Sequence, residues 1–132
     1  MSLFSIFYYC LACIIYVLAI PLLILKSRNP KYSQAIPSRY FLNNNGSFKE
    51  NGIWFHSCSM GETKALKPII DEFDSEDINI SVVTNTGYDE AKKLTSNVRF
   101  LPFEIFLPFW IKKQKILLVM EAELWYMLFL VA

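Results

Sequence analysis

An α/β fold, with one long apolar helix at its start and a partial doubly wound parallel sheet after it, is what three features of this sequence predict. An uncharged apolar stretch runs from Leu3 to Leu25. Four short apolar runs follow, beginning at Ile53, Ile78, Val98 and Ile116. Each is strand-sized. The segments between them carry helical spacing, and strands alternating with helices build a parallel sheet. The chain has 132 residues, enough for about one domain.

The first stretch is about as long as a helix needs to cross a bilayer. Basic residues do not precede it and no small-residue cleavage site follows, so it reads as an anchor rather than a secretory signal. Pro21 falls near its end, where it is tolerated. Lys26, Arg28, Lys31 and Arg39 come after it. The positive-inside tendency therefore places the remainder in the cytoplasm, and the same residues suit anionic head groups. We divide the chain into a membrane anchor helix at 1–27, a basic linker at 28–52 and an incomplete Rossmann-like domain at 53–132. Pro30, Pro37, the run Asn43-Asn44-Asn45-Gly46 and Gly52 punctuate the linker. One short helix is expected in it, around Ser33 to Phe41, and the Asn run is expected as a surface loop.

In the domain, Ile53 to Ser57 reads as a strand and Thr63 to Phe73 as a helical region. Pro68 removes a donor there, so either the helix bends or its regular part starts near Lys67. Ile78 to Thr84 is the second strand. Asn85-Thr86-Gly87 is a turn into a short helix, Tyr88 to Leu94. Val98 to Leu101 is the third strand. Pro102 and Pro108 bracket an aromatic stretch with Phe103, Phe106, Phe109 and Trp110, suited to acyl chains or to core packing. Ile116 to Met120 is the fourth strand, apolar throughout and expected to be buried on both faces. Glu121 to Ala132 begins a helix.

A net charge of +1 gives no electrostatic argument for nucleic acid. The three cysteines make no disulfide framework. Cys10 and Cys13 lie in the apolar helix and read as small apolar residues, not as a metal or redox pair. His56 is the single histidine, which excludes a site needing two. No GxGxxG, Walker loop, HExxH or GxSxG is present, and no metal site is expected.

The chemistry concentrates at Ile53 to Thr63. A strand gives way there to a helix, and Gly61 precedes Glu62. In an open α/β sheet ligands bind at the carboxyl ends of the strands. A carboxylate held there can take a proton from a substrate hydroxyl, or it can simply favour the helix dipole. Ser57 and Ser59 can bind a phosphate or carboxylate, or cap the helix. Cys58 with His56 is a conceivable nucleophile pair, though neighbours on one strand rarely have the geometry. Thr84, Asn85, Thr86 and Gly87 form a second polar corner, which can contact a polar substrate or be only a turn. Glu121 and Glu123 form a third, after the fourth strand. Three carboxylates converging on one edge would perturb each other's ionisation or demand a cationic ligand.

These residues resemble the 3-deoxy-D-manno-octulosonic acid (Kdo) transferases of lipopolysaccharide synthesis. Trp54 to Glu62 resembles the family signature W-x-H-x-x-S-x-G-E. Val82 to Gly87 looks like its "VTT…TG" segment, Phe100 to Glu104 its "YLPYD", and Met120 to Trp125 its "METELW". After Trp125 the family usually continues Pro-Asn, and here Tyr126-Met127 follows. The resemblance covers the whole chain in order. It implies the N-terminal, acceptor-side half of a GT-B glycosyltransferase, lacking the donor domain. Such an enzyme transfers Kdo from CMP-Kdo to a lipid A precursor, lipid IVA, at the cell inner membrane, inverting the anomeric centre without a metal or other cofactor. The resemblance makes Glu62 the general base and Glu121 the transition-state support, with Glu123 a second acid of less defined role. The rival expectation is an inactive remnant or a membrane-anchored, lipid-binding half-domain without catalysis.

Overall fold

The computed structural model describes residues 2–120 and 126–132. Four parallel strands form one sheet in the order β3-β2-β1-β4. They are β1 (Ile53–His56), β2 (Ile78–Val82), β3 (Val98–Phe100) and β4 (Ile116–Val119). β1 is central: Phe55 pairs with Ile80 on one side and Leu118 on the other. The chain winds outward from β1 to β3, then returns to β1's free side with β4. That reversal makes the sheet doubly wound and creates a switch point between β1 and β4.

The strand pattern dictates two cores, because alternate side chains leave opposite faces. On one face Phe55, Ile78, Ile80, Val82, Val98 and Phe100 pack against α3 (Met60–Ile70) and α4 (Asn85–Ala91) through Leu66, Ile70 and Ala91. On the other, Trp54 meets Phe48, Leu101, Leu107, Trp110, Met127 and Leu128. The last four lie on α5 (Leu107–Trp110) and α6 (Tyr126–Val131). A sheet covered on both faces is what parallel pairing requires.

Several expectations are corrected. β4 is not buried on both faces: Ile116 is 51% exposed and the rest of the strand is half-buried. It pairs only with β1 among the described residues. Its apolar run belongs to an edge strand. β2 ends at Val82, and α4 begins at Asn85 rather than Tyr88, because Thr84 caps it by accepting from Gly87 N at 3.1 Å. α3 runs unbroken from Met60 to Ile70, so Pro68 sits in its last turn, contrary to both alternatives considered. The aromatic stretch divides: Trp110 is buried, whereas Phe109 is 83% exposed.

The 28–52 segment is part of the domain, not a spacer. It contains α2 (Ala35–Phe41), close to the expected helix. Ala35, Ile36 and Phe48 are buried. Asn45, expected on the surface, is also buried. Its side-chain amide donates to Ser38 O (3.0 Å) and Phe100 O (2.8 Å) and its Oδ1 accepts from Phe100 N (3.1 Å). Asn45 thereby supplies β3 with the partners that a next strand would have given.

α1 (Leu3–Ser27) is long and apolar enough to cross a membrane by length and composition. One stripe of it is docked on the domain. Ser5 Oγ meets Tyr126 OH at 2.7 Å, Tyr8 OH donates to Glu104 Oε2 at 2.6 Å, Tyr9 OH to Ile105 O at 2.7 Å, and Tyr16 OH to Tyr40 O. Phe103 stacks between Tyr16 and Tyr40. The outward face, with Phe7, Leu11, Ile14, Leu18 and Leu22, is exposed.

Asn45→Ala removes three bonds and leaves buried backbone groups of Ser38 and Phe100 without partners. Each orphaned group costs about 1–3 kcal/mol. The expected loss is about 3 kcal/mol, read from urea unfolding of the chain in detergent micelles; an unchanged midpoint would refute the role given to Asn45.

Candidate active site

The parallel register delivers the ends of all four strands to one edge, and Glu62 lies there at the start of α3. Ser59 is the N-cap, with extended backbone, and its hydroxyl accepts from Glu62 N at 3.4 Å. Glu62 reaches back: Oε1 accepts from Ser59 Oγ at 3.0 Å and Oε2 from Cys58 N at 2.6 Å. This is a capping-box arrangement, legible as Ser59-x-x-Glu62 in the sequence. Both carboxylate oxygens are thus oriented, and the half-buried side chain is held to one geometry. A carboxylate has roughly four lone-pair sites, so two bonds leave acceptor capacity on both oxygens.

Gly61 does not serve as a left-handed turn; it lies within the first turn of α3, and glycines with positive φ are absent. A Cβ there would meet only Ser59 Oγ at 4.0 Å. Its contribution is bare, exposed backbone beside Glu62, where a ligand can come close.

Ser57 supports this corner from inside. It is fully buried, with Oγ 2.8 Å from Thr63 Oγ1. Thr63 gives its proton to Ser59 O at 2.8 Å, so Ser57 donates to Thr63. Ser57 is turned into the corner, away from the surface on which Glu62 lies.

The second corner is fastened to the first. Thr84 Oγ1 donates to Cys58 O at 3.1 Å and accepts from Gly87 N. A Cβ on Gly87 would stand 3.0 Å from Thr84 Oγ1 and 3.4 Å from Ser59 C. Glycine therefore lets α4 close on the β1–α3 corner. Thr84 and Thr86 are exposed, their hydroxyls 3.5 Å apart. Glu121 and Glu123 lie outside the described residues. Met120, just before them, donates its N–H to His56 O at 2.9 Å, which continues the β4 pairing toward the same edge.

His56 is sealed in the sheet. Its Nδ1 is 2.8 Å from Ser81 Oγ, which also accepts from Trp54 Nε1 at 2.8 Å. Cys58 Sγ lies 3.8 Å from His56 Nε2. The imidazole is wholly buried, as is Ser81. The pair reads as sheet packing, not an exposed nucleophile. Ser81, Thr63 and Asn45 were missed in the sequence as supporting residues. Only Ser81's alternation with Ile80 and Val82, which places it on the Trp54 face, could have signalled it. Among the described residues no group of three or more His, Cys, Asp or Glu could hold a metal.

A parallel sheet reversing at β1, with an oriented carboxylate at its carboxyl edge and an apolar helix docked beside it, defines an α/β domain of the kind that forms one half of a GT-B glycosyltransferase. Residues 33–132 match the family described as 3-deoxy-D-manno-octulosonic-acid transferase (kdotransferase), and the chain belongs to that family. It is 29% identical over 114 residues to the 3-deoxy-D-manno-octulosonic acid transferase of Haemophilus influenzae, covering 77% of this chain and 27% of that one. It is 34% identical over 89 residues to a bifunctional glycosyltransferase/methyltransferase of Fusobacterium nucleatum, covering 58% of this chain and 14% of that one. The chain thus spans about a quarter or less of these relatives' length. No solved structure matches it.

Two substitutions test the corner. Ser59→Ala removes the cap and costs about 1 kcal/mol. Gly87→Ala gains up to about 1 kcal/mol of helix propensity but overpacks the Thr84–Ser59 contact, at about 1–3 kcal/mol. Net destabilisation of about 1 kcal/mol is expected for Gly87→Ala in thermal unfolding; stabilisation would show that the two corners are not in fixed contact.

Proposed function

We propose that the full gene product transfers Kdo from CMP-Kdo to a lipid A precursor, lipid IVA, as a step of lipopolysaccharide synthesis, and that this chain is its acceptor-side half. The observation that carries the reading is Glu62. Its carboxylate is oriented by Cys58 N and Ser59 Oγ at the carboxyl edge of the sheet, in a chain whose residues 33–132 match the Kdo transferase family.

In this reading Glu62 is the general base. It takes the proton of an acceptor sugar hydroxyl as that oxygen attacks the anomeric carbon of the donor, and CMP leaves from the opposite face, inverting the centre. Holding the base in one geometry saves the cost of ordering it in the transition state. Glu121 supports the developing positive charge of the sugar, and Glu123 is a second acid of less defined role. Ser59, Gly61, Thr84, Thr86 and Gly87 shape the surface on which the acceptor rests. Ser57 fixes the corner from behind. The reaction requires no metal or cofactor besides its sugar-nucleotide donor. α1 attaches the protein to the inner membrane, with the basic residues after it on the cytoplasmic side along with the catalytic part. Residues 1–27 serve as anchor, and 28–52 lead from it into the domain of which they form part.

Glu62→Gln in the full gene product is expected to lower kcat for Kdo transfer to lipid IVA by at least about 100-fold, the ordinary worth of a general base, while membrane attachment and the unfolding midpoint stay near those of the parent. Retention of full activity would remove Glu62 from the role.

A further inference from the structure

α1 touches the domain from one end to the other. Near its start Ser5 Oγ lies 2.7 Å from Tyr126 OH, and Tyr8 OH donates to Glu104 Oε2 at 2.6 Å. At its middle Ala12 is buried and Tyr16 OH donates to Tyr40 O. Near its end Leu23 is buried. Between Ser5 and Leu23 the helix rises about 27 Å, close to the roughly 30 Å thickness of a bilayer's hydrocarbon core. A helix that crossed the bilayer with these contacts intact would draw its partners in with it. The Glu104 carboxyl would enter near one end. Tyr40 would enter at mid-depth, and the exposed turn at Asn43 and Asn44 is only three residues beyond it. An acid is costly in hydrocarbon, and irregular backbone is not tolerated against lipid. Crossing and docking exclude each other, and α1 is docked.

The side of α1 turned away from the domain is apolar throughout. Phe7, Leu11, Ile14, Leu18, Leu22 and Leu25 are between 45% and 76% exposed. They recur every three or four residues, so they form one stripe, opposite Ser5, Ala12 and Tyr16. No charge interrupts Leu3 to Leu25. Such a stripe offers a protein partner no polar rim to hydrogen-bond, whereas acyl chains require none. Lys26 and Arg28 follow it directly and are exposed, which brings positive charge to anionic head groups at the end of the stripe.

We propose that α1 does not cross the bilayer but lies in its plane, with the Phe7 to Leu25 stripe sunk in the acyl chains of one leaflet and the tyrosine side held by the domain. The protein is then monotopic, and the domain is held at a fixed height against the membrane surface rather than hung from a single crossing. The proposal deepens the membrane attachment proposed above and rests on it.

The test measures depth with nitroxide spin labels in phosphatidylethanolamine–phosphatidylglycerol liposomes. Phe7→Cys, Ile14→Cys and Leu22→Cys are made one at a time in a cysteine-free form of the full gene product, labelled, and read by oxygen and nickel-chelate accessibility. An interfacial helix keeps its apolar face at one level, about 5–10 Å into the boundary between head groups and acyl chains. All three labels are therefore expected in the acyl region within about 5 Å of one another in depth. A crossing helix would instead put Ile14 deeper than both Phe7 and Leu22 by about 10 Å, the rise of seven residues. That pattern, or any spread beyond about 5 Å, overturns the in-plane placement and leaves the attachment standing. Labels that all report water overturn the attachment and the placement together. Where a label lowers the unfolding midpoint below that of the cysteine-free parent, Leu11, Leu18 or Leu25 on the same stripe takes its place.

Discussion

Parallel pairing of β1 on both of its sides is the constraint on which everything else rests. Because β2 and β4 run parallel to it, every strand leaves the sheet at the same edge. The turns after β1 and β2 are then neighbours, although they are far apart in the chain. Parallel pairing also forbids a bare face, so helices must cover both sides and the strands must be apolar toward each. Even the polar positions of β2 obey it. Asn79 and Ser81 are buried, and Ser81 is retained because Trp54 Nε1 and His56 Nδ1 both need a partner at that depth.

Glu62 shows how one residue can answer both readings of a sequence. As a helix cap it satisfies Cys58 N and the Ser59 hydroxyl. As a base it needs a fixed carboxylate near a ligand. The capping bonds provide that fixation, so the structural role and the proposed chemical role reinforce each other. Thr84 extends the arrangement by tying Cys58 O to the start of α4, and Gly87 makes room for that closure.

α1 is uniformly apolar in composition but not uniform in use. Its tyrosines and Ser5 turn their hydroxyls to the domain, where Glu104, Ile105 O, Tyr40 O and Tyr126 accept or share them. Most of its aliphatic side chains are exposed, Ala12 and Leu23 excepted. The tyrosine is suited to this boundary because its ring is apolar and its tip is polar. The helix therefore has a domain side and an exposed apolar side.

The α/β class, the apolar helix, the approximate strand runs and the Ser59-to-Glu62 cap were determined by the sequence alone, because each is written in residues within a turn or two of one another. The strand order, the exposure of β4, the burial of Asn45 between Ser38 and Phe100, the clasp from Thr84 to Cys58 and the docking of α1 were decided only by the tertiary structure. Each of these depends on groups brought together from distant parts of the chain. An apolar run such as Ile116 to Val119 looks alike whether one neighbour flanks it or two, and an Asn looks like a turn residue until a strand edge needs its amide. Local pattern fixes the period and the cap; which edge is covered, and what covers it, is set by how the whole chain packs.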